Sequence, residues 1–185
     1  MATASATRLI TAEEFGQRPD PGYPEELVRG RIVAMTPPDR GHGYVCGQAY
    51  YILRQFIDER DPGRVMSNDS AIITERSPDT VRGADVCYYS YARLPRGVLA
   101  KGYGPEIPEL VVEVRSPSDR WAAIHGKVGE YLDAGVLAVV VLDPDAEKAH
   151  VFRADDAPRI FGIEDELVLP GLLDGFSARV GRFFE

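Results

Sequence analysis

The sequence lacks most features that announce a location or a cofactor. Cysteine occurs only twice, as Cys46 and Cys87. The two share no metal-type spacing, which excludes a disulfide framework and suits a reducing cytoplasm. Long apolar runs are absent. The longest, VLAVVVL from Val136 to Leu142, falls far short of the roughly 20 residues that span a bilayer, so no membrane association is expected. The opening MATASATRLI has no basic patch followed by an apolar stretch, so no secretory signal is expected and the expected location is cytoplasmic. Internal repeats and low-complexity segments are also missing. Positive charge is in short supply: 21 Lys and Arg stand against 29 Asp and Glu, a formal charge of −8. Proteins that bind nucleic acid usually carry a basic face, because phosphate neutralisation dominates their affinity. The composition therefore weighs against a polyanionic partner.

What remains is an ordinary globular composition, 44% apolar and 27% charged. At 185 residues the chain reads as one domain, 1–185, able to bury a core without staples. Thr11-Ala12-Glu13-Glu14 has capping-box spacing and predicts a short helix. ELVRGRIVAM, Glu26 to Met35, predicts a hairpin turning at Arg29-Gly30. From Gly43 to about Arg60, Val45, Ala49, Ile52 and Phe56 form one helical stripe, stopped by Asp61-Pro62-Gly63. Strands are expected at Arg64–Ser67, Ser70–Thr74 and Ala84–Tyr89, with a turn-rich loop at Ser77–Gly83. A Gly- and Pro-containing loop is expected from Leu94 to Pro108. A strong strand, Glu109–Arg115, precedes a helix capped at Ser118 or Asp119 and ended near Ala134 by Gly135. Val136–Leu142 then reads as a fully buried strand. This strand–helix–strand unit predicts a parallel pair inside a mixed sheet. Outer strands are expected at Ala149–Arg153 and Arg159–Gly162, and a last helix at Ser177–Phe184.

Two carboxylates stand out. Glu113 interrupts Leu110-Val111-Val112 and Val114, a run that otherwise reads as buried, and Asp85 sits beside Val86 and Cys87. Carboxylates are seldom buried unless paired or bound to metal. Placed on adjacent strands the two would repel, and a divalent cation between them removes that penalty. Oxygen ligands suit Mg²⁺ or Mn²⁺. Lys127 lies three residues after Ile124 and four before Tyr131, on the apolar face of its helix, where it can reach the Glu113 strand. Burial and a nearby metal would lower its pKa. Plainer readings exist for each. Asp85 could serve a turn at a strand start, Glu113 could pair with Arg115 on the same strand face, and Lys127 could snorkel along the helix flank.

These residues sit in segments that resemble a known family. TAEEF, ELVRGRIVAM, Pro37-Pro38 with His42, RGADVCYY, PELVVEVRSPSDR, KVGEYLDAGVLAVVVLDP and LVLPGLL together cover nearly the whole chain. They resemble the Uma-two family of restriction-endonuclease-like proteins, within the PD-(D/E)XK nuclease superfamily. PELVVEVRSPSDR is the most specific of these segments. The resemblance implies an α/β (α+β) fold: a restriction-endonuclease-like mixed β-sheet flanked by helices, with an N-terminal β-hairpin. It implies that Asp85 is the motif aspartate and Glu113 the motif acid. The superfamily lysine would fall at Arg115, which stays protonated and cannot act as a base, so the match moves to Lys127. Gly83-Ala84 stands where the superfamily motif has proline before the aspartate. Glu26 matches a glutamate that often completes such sites, with an exposed hairpin charge as the alternative. His42 faces the sheet either as part of the site or as a helix-start or core histidine; His125 and His150 have no motif support.

The functional expectation is a metal-dependent endonuclease hydrolysing phosphodiester bonds, with DNA ahead of RNA. Mg²⁺ or Mn²⁺ would be held by Asp85, Glu113 and the Val114 carbonyl, with Lys127 and Glu26 completing the catalytic set. The first rival is a non-catalytic nuclease-fold module for binding or assembly, with a vestigial metal site; the acidic balance and Arg115 favour it. The second is an enzyme acting on a small phosphorylated molecule. A homodimer is expected from the resemblance, and Tyr88, Tyr89 and Tyr91 offer aromatic residues compatible with an interface.

Overall fold

The computed structural model describes residues 8–98 and 102–185. The Thr11 hydroxyl and the Glu14 carboxylate form the capping box that opens α1, Ala12–Gly16. The hairpin pairs β1, Glu25–Val28, with β2, Arg31–Ala34. Arg29 (φ 49°) and Gly30 (φ 72°) both adopt positive φ, as a tight two-residue hairpin turn requires. Next comes α2, Arg40–Arg60, which begins three residues ahead of the expected Gly43 because the Asp39 carboxylate caps it by accepting from the His42 N–H at 2.8 Å. Val45, Ala49, Ile52, Leu53 and Ile57 form its buried stripe. Asp61 closes the helix in the left-handed conformation.

The two strands expected at 64–67 and 70–74 are one strand, β3, Gly63–Glu75, with an irregularity between Ser67 and Ser70. There Asn68 (φ 67°) and Asp69 (φ 53°) bulge out, which the alternation pattern alone reads as a break. Gly63 lies so close to its neighbour that a Cβ would stand 2.1 Å from the Tyr89 carbonyl. The expected loop at 77–83 shrinks to a turn, because β4, Thr80–Ser90, already runs from Thr80. Of the 94–108 loop, residues 99–101 lie outside the described residues.

The crossover follows as expected: β5, Leu110–Val114, then α3, Trp121–Asp133, then β6, Ala138–Asp143, parallel to β5. The cap of α3 differs. Arg120 occupies that position with no side-chain bond, because the Asp119 carboxylate is taken by the Ser116 N–H at 2.9 Å. Gly135 takes up positive φ just past the helix. Outer strands β7, Lys148–Phe152, and β8, Arg159–Phe161, complete the large sheet. The expected last helix at 177–184 is mostly absent. Residues 173–179 form β10, Leu173–Arg179, which pairs with β9, Glu166–Leu169, and only a short 3-10 helix, Val180–Phe183, follows. Phe176, Ala178, Val180 and Phe183 all point into the core, so burial favours a strand and a tight turn there.

The large sheet runs β2-β1-β4-β5-β6-β7-β8, with β3 along the other edge of β4. One face packs α2 and the β9–β10 pair against Val86, Val112, Val114, Val140 and Leu142. The opposite face packs α3 against Cys87, Val111, Val139 and Val141. β3 pairs with β4 on both sides of the Asn68-Asp69 bulge, from Gly63 to Glu75. β1 and β5 must therefore share the remaining edge of β4: β1 pairs at Val81 and β5 at Val86 to Tyr88. Arg82 to Asp85 lie in the gap, so the sheet forks there. Tyr88 and Tyr89 are 3% and 6% exposed, which removes them from any interface. Tyr91 is covered by Arg96 and donates to Asp61.

Candidate functional site

A cleft of about 980 Å³ opens over the fork, and Glu26, Asp85, Glu113, Val114 and Lys127 all line it. They reach it from four elements: β1, β4, β5 and α3. The β4–β5 ladder pairs Val86 with Val112; one step further on, the Val114 N–H bonds the Asp85 carboxylate at 2.7 Å. Asp85 thus ties the diverging strands with a side chain in mid-strand, not at a strand start. From the α2 side, His42 Nε2 stands 3.4 Å from Asp85 Oδ2.

Glu113 points to the opposite face, towards α3. The Tyr131 hydroxyl donates to Oε1 at 2.8 Å, and Lys127 Nζ lies 3.4 Å from Oε2. Lys127 also reaches Glu26 Oε1 at 3.2 Å. Glu26 is 5% exposed, which discards the exposed-charge alternative. It accepts from Arg82 at 2.7 Å, and Arg82 is held on its other side by two bonds to Glu130. The alternative partner for Glu113 is excluded. Arg115 binds Asp143 at 3.0 Å and Asp145 at 3.1 Å, with its guanidinium over Trp121.

Electrostatics sharpen the picture. Burial pushes the Glu113 carboxyl up, and the Asp85 and Glu26 charges add to that, against the opposing pull of Lys127 and Tyr131. An acid so placed gains by exchanging its proton for a cation. Lys127 moves opposite to expectation. Burial alone lowers an ammonium, but Glu113 and Glu26 outweigh it and raise the pKa, so Lys127 is firmly charged and acts as a donor. For His42, burial lowers the pKa, while Asp85, the Val114 carbonyl and Glu113 together raise it.

Several residues in or beside the cleft carried no sequence signal. Asp69 is carried by the β3 bulge, and its carboxyl is raised by burial and by the Asp85 charge. Its Cβ is so close to Gly83 that a Cβ there would lie 2.9 Å away. Arg82 and Tyr131 are ordinary strand and helix residues until packing turns them inward. Cys46, isolated in sequence, has its Sγ 3.4 Å from His42 Nδ1. The spacing His42 to Cys46, one helical turn, was the available signal. His125 and His150 pack with Trp121 and Phe152 elsewhere.

The donor set fits a divalent cation. Asp85, Glu113 and Val114 line the same cleft, where the buried Glu113 acid is held above its ordinary pKa, and oxygen ligands suit a hard ion. The walls do not resemble a polyanion groove. Among the described residues, the Arg and Lys lining the cleft are Arg82, Arg115 and Lys127, and each is engaged by carboxylates.

A forked mixed sheet with acids at the fork and a lysine on the crossover helix defines a nuclease-like fold. The chain belongs to the Uma2 family, described as "Putative restriction endonuclease", whose model matches residues 12–181. Its fold is similar to the crystal structure, at 1.96 Å resolution, of a protein from Anabaena variabilis ATCC 29413 described as a "putative nuclease belonging to DUF820". The TM-score is 0.82 at 18% identity, over 95% of this chain and 97% of that one. No curated protein matches the sequence. Among the described residues, no helix is long and apolar enough to cross a membrane.

Proposed function

We propose that the chain is a divalent-metal-dependent endonuclease that hydrolyses phosphodiester bonds in nucleic acid, DNA ahead of RNA. The observation that carries this reading is that Asp85 and Glu113 line one cleft at the fork, where the Asp85 charge acts on Glu113 and Lys127 is held 3.4 Å from Glu113. Asp85, Glu113 and the Val114 carbonyl would hold Mg²⁺ or Mn²⁺. When bound, such an ion polarises a phosphate oxygen and lowers the pKa of a water. Tyr131 and Lys127 fix the Glu113 carboxylate from two sides. Lys127, kept charged by its acidic neighbours, donates a hydrogen bond to the attacking water or to the developing negative charge. Glu26 anchors Lys127 and is itself steadied by Arg82.

The test is incubation with plasmid, single-stranded DNA and RNA, each in Mg²⁺ and in Mn²⁺. Cleavage by the wild type that is lost in Asp85→Asn supports the reading. Identical behaviour of the two proteins on every substrate sinks it. One observation favours a second reading, a non-catalytic module: every Arg and Lys of the cleft among the described residues is already neutralised by a carboxylate. Calorimetry separates the two, since a module with a vestigial site takes up no divalent ion at millimolar concentration.

A further inference from the structure

Two side chains beside Asp85 have no part in that mechanism. His42 and Cys46 lie four residues apart near the start of α2, so they share one helix face. His42 is a bridge: Nδ1 meets Cys46 Sγ at 3.4 Å and Nε2 meets Asp85 Oδ2 at 3.4 Å. The His42 and Asp85 side chains are 11% and 10% exposed. One donor atom from each of His42, Cys46 and Asp85 lies within 4.8 Å of the others.

We propose that His42, Cys46 and Asp85 form a second cation site that selects a borderline-soft divalent ion, zinc or cobalt, over magnesium. A nitrogen, a sulfur and one carboxylate oxygen are poor ligands for Mg²⁺, which demands octahedral oxygen. They suit tetrahedral zinc with its fourth position left to water. Bonds of about 2.0–2.3 Å set tetrahedral ligands roughly 3.2–3.8 Å apart, so modest side-chain rotations close the site. Uptake replaces the thiol proton of Cys46 by the metal and releases that proton to solvent, with no change of oxidation state. The site shares Asp85 with the proposed magnesium site but does not depend on hydrolysis.

The experiment is a titration of the reduced full-length protein with Co²⁺ without oxygen, read as the near-ultraviolet thiolate-to-cobalt absorption. A band that saturates at one equivalent and is bleached by Zn²⁺ is expected. Cys46→Ser abolishes it, Cys87→Ser and Glu113→Gln keep it, and His42→Ala weakens cobalt binding at least about tenfold. Circular dichroism checks that each variant is folded. No band in the wild type, or a band that survives Cys46→Ser, overturns the proposal. Mg²⁺ calorimetry on the same samples keeps the two readings apart. Magnesium uptake without a cobalt band removes only the second site, and a cobalt band without magnesium uptake removes only the first.

Discussion

The Val114 N–H donates to the Asp85 carboxylate at 2.7 Å, where the β4–β5 ladder would otherwise continue through main chain. The strands have begun to part, and a side chain takes over a backbone acceptor's task. The arrangement ties Asp85 to the residue that follows Glu113, so the fork and the candidate site arise from the same divergence.

Glu113→Gln removes a buried acid whose neighbours include Asp85 and Glu26. A glutamine still accepts from Tyr131, so the fold is expected to survive. Mg²⁺ affinity falls about tenfold or more, and the metal-induced rise in melting temperature disappears. Calorimetry and thermal melts with and without Mg²⁺ check both outcomes.

Lys127→Met leaves Glu113 and Glu26 facing each other without their shared cation. Removing one partner of a largely buried pair costs about 3 kcal/mol. Because a divalent ion restores positive charge beside Glu113, the stability gap to wild type is expected to narrow in Mg²⁺ while cleavage stays lost. Denaturant melts with and without Mg²⁺, beside a cleavage assay, test this; an equal gap in both conditions counts against a cation at Glu113.

Asp79 accepts from the Ala12 N–H at 2.8 Å, the Ser77 N–H at 3.1 Å and Arg76 at 2.9 Å. Burial raises its pKa, but these bonds outweigh it and the net shift is downward. A carboxyl with a depressed folded pKa stabilises above its unfolded pKa, and that contribution disappears as pH falls through the folded value. Asp79→Ala is expected to cost about 1–3 kcal/mol at neutral pH. The gap to wild type should close in melts taken at progressively lower pH below about 4.

Gly63→Ala places a methyl against the Tyr89 carbonyl, 2.1 Å away before relaxation. A loss of about 1–3 kcal/mol is expected, with Mg²⁺ affinity unchanged, because the strain lies at the far end of β4 from Asp85. A denaturation midpoint and a calorimetric titration on the same sample decide it.

Because Arg82, Arg115 and Lys127 are each engaged by carboxylates, nucleic acid should bind only when a divalent ion supplies positive charge. Fluorescence anisotropy with a labelled oligonucleotide in Ca²⁺ and in EDTA measures this. Equal affinity in both would show that phosphates are met by a surface outside the cleft.

Local pattern carried much of this protein. The capping box at Thr11, the stripe of Val45, Ala49 and Ile52 and the β5–α3–β6 crossover are properties of neighbouring residues, and each formed as its spacing implies, while Phe56 at the end of that stripe is only partly buried. Glu113 was legible because a charge inside an apolar strand contradicts its surroundings. The errors fell where local pattern and packing disagree. The Asn68-Asp69 bulge reads as a strand break, and the Ser177–Phe184 segment reads as helical until β9 offers it a partner. The tyrosines at 88 and 89 read as a surface only while the α2 and α3 layers are out of view.

By itself, the sequence determined which residues are too polar for their setting, Asp85 and Glu113, and which helix face carries Lys127. Tertiary structure decided what each of them meets. That Arg115 turns to Asp143 and Asp145, that Glu26 is buried beside Lys127, and that Cys46 reaches His42 and Asp85 depend on where β4 forks. The direction of the Lys127 shift was decided there as well. Burial and opposite charge act on an ammonium with opposite signs, and only the positions of Glu113 and Glu26 fix which is larger.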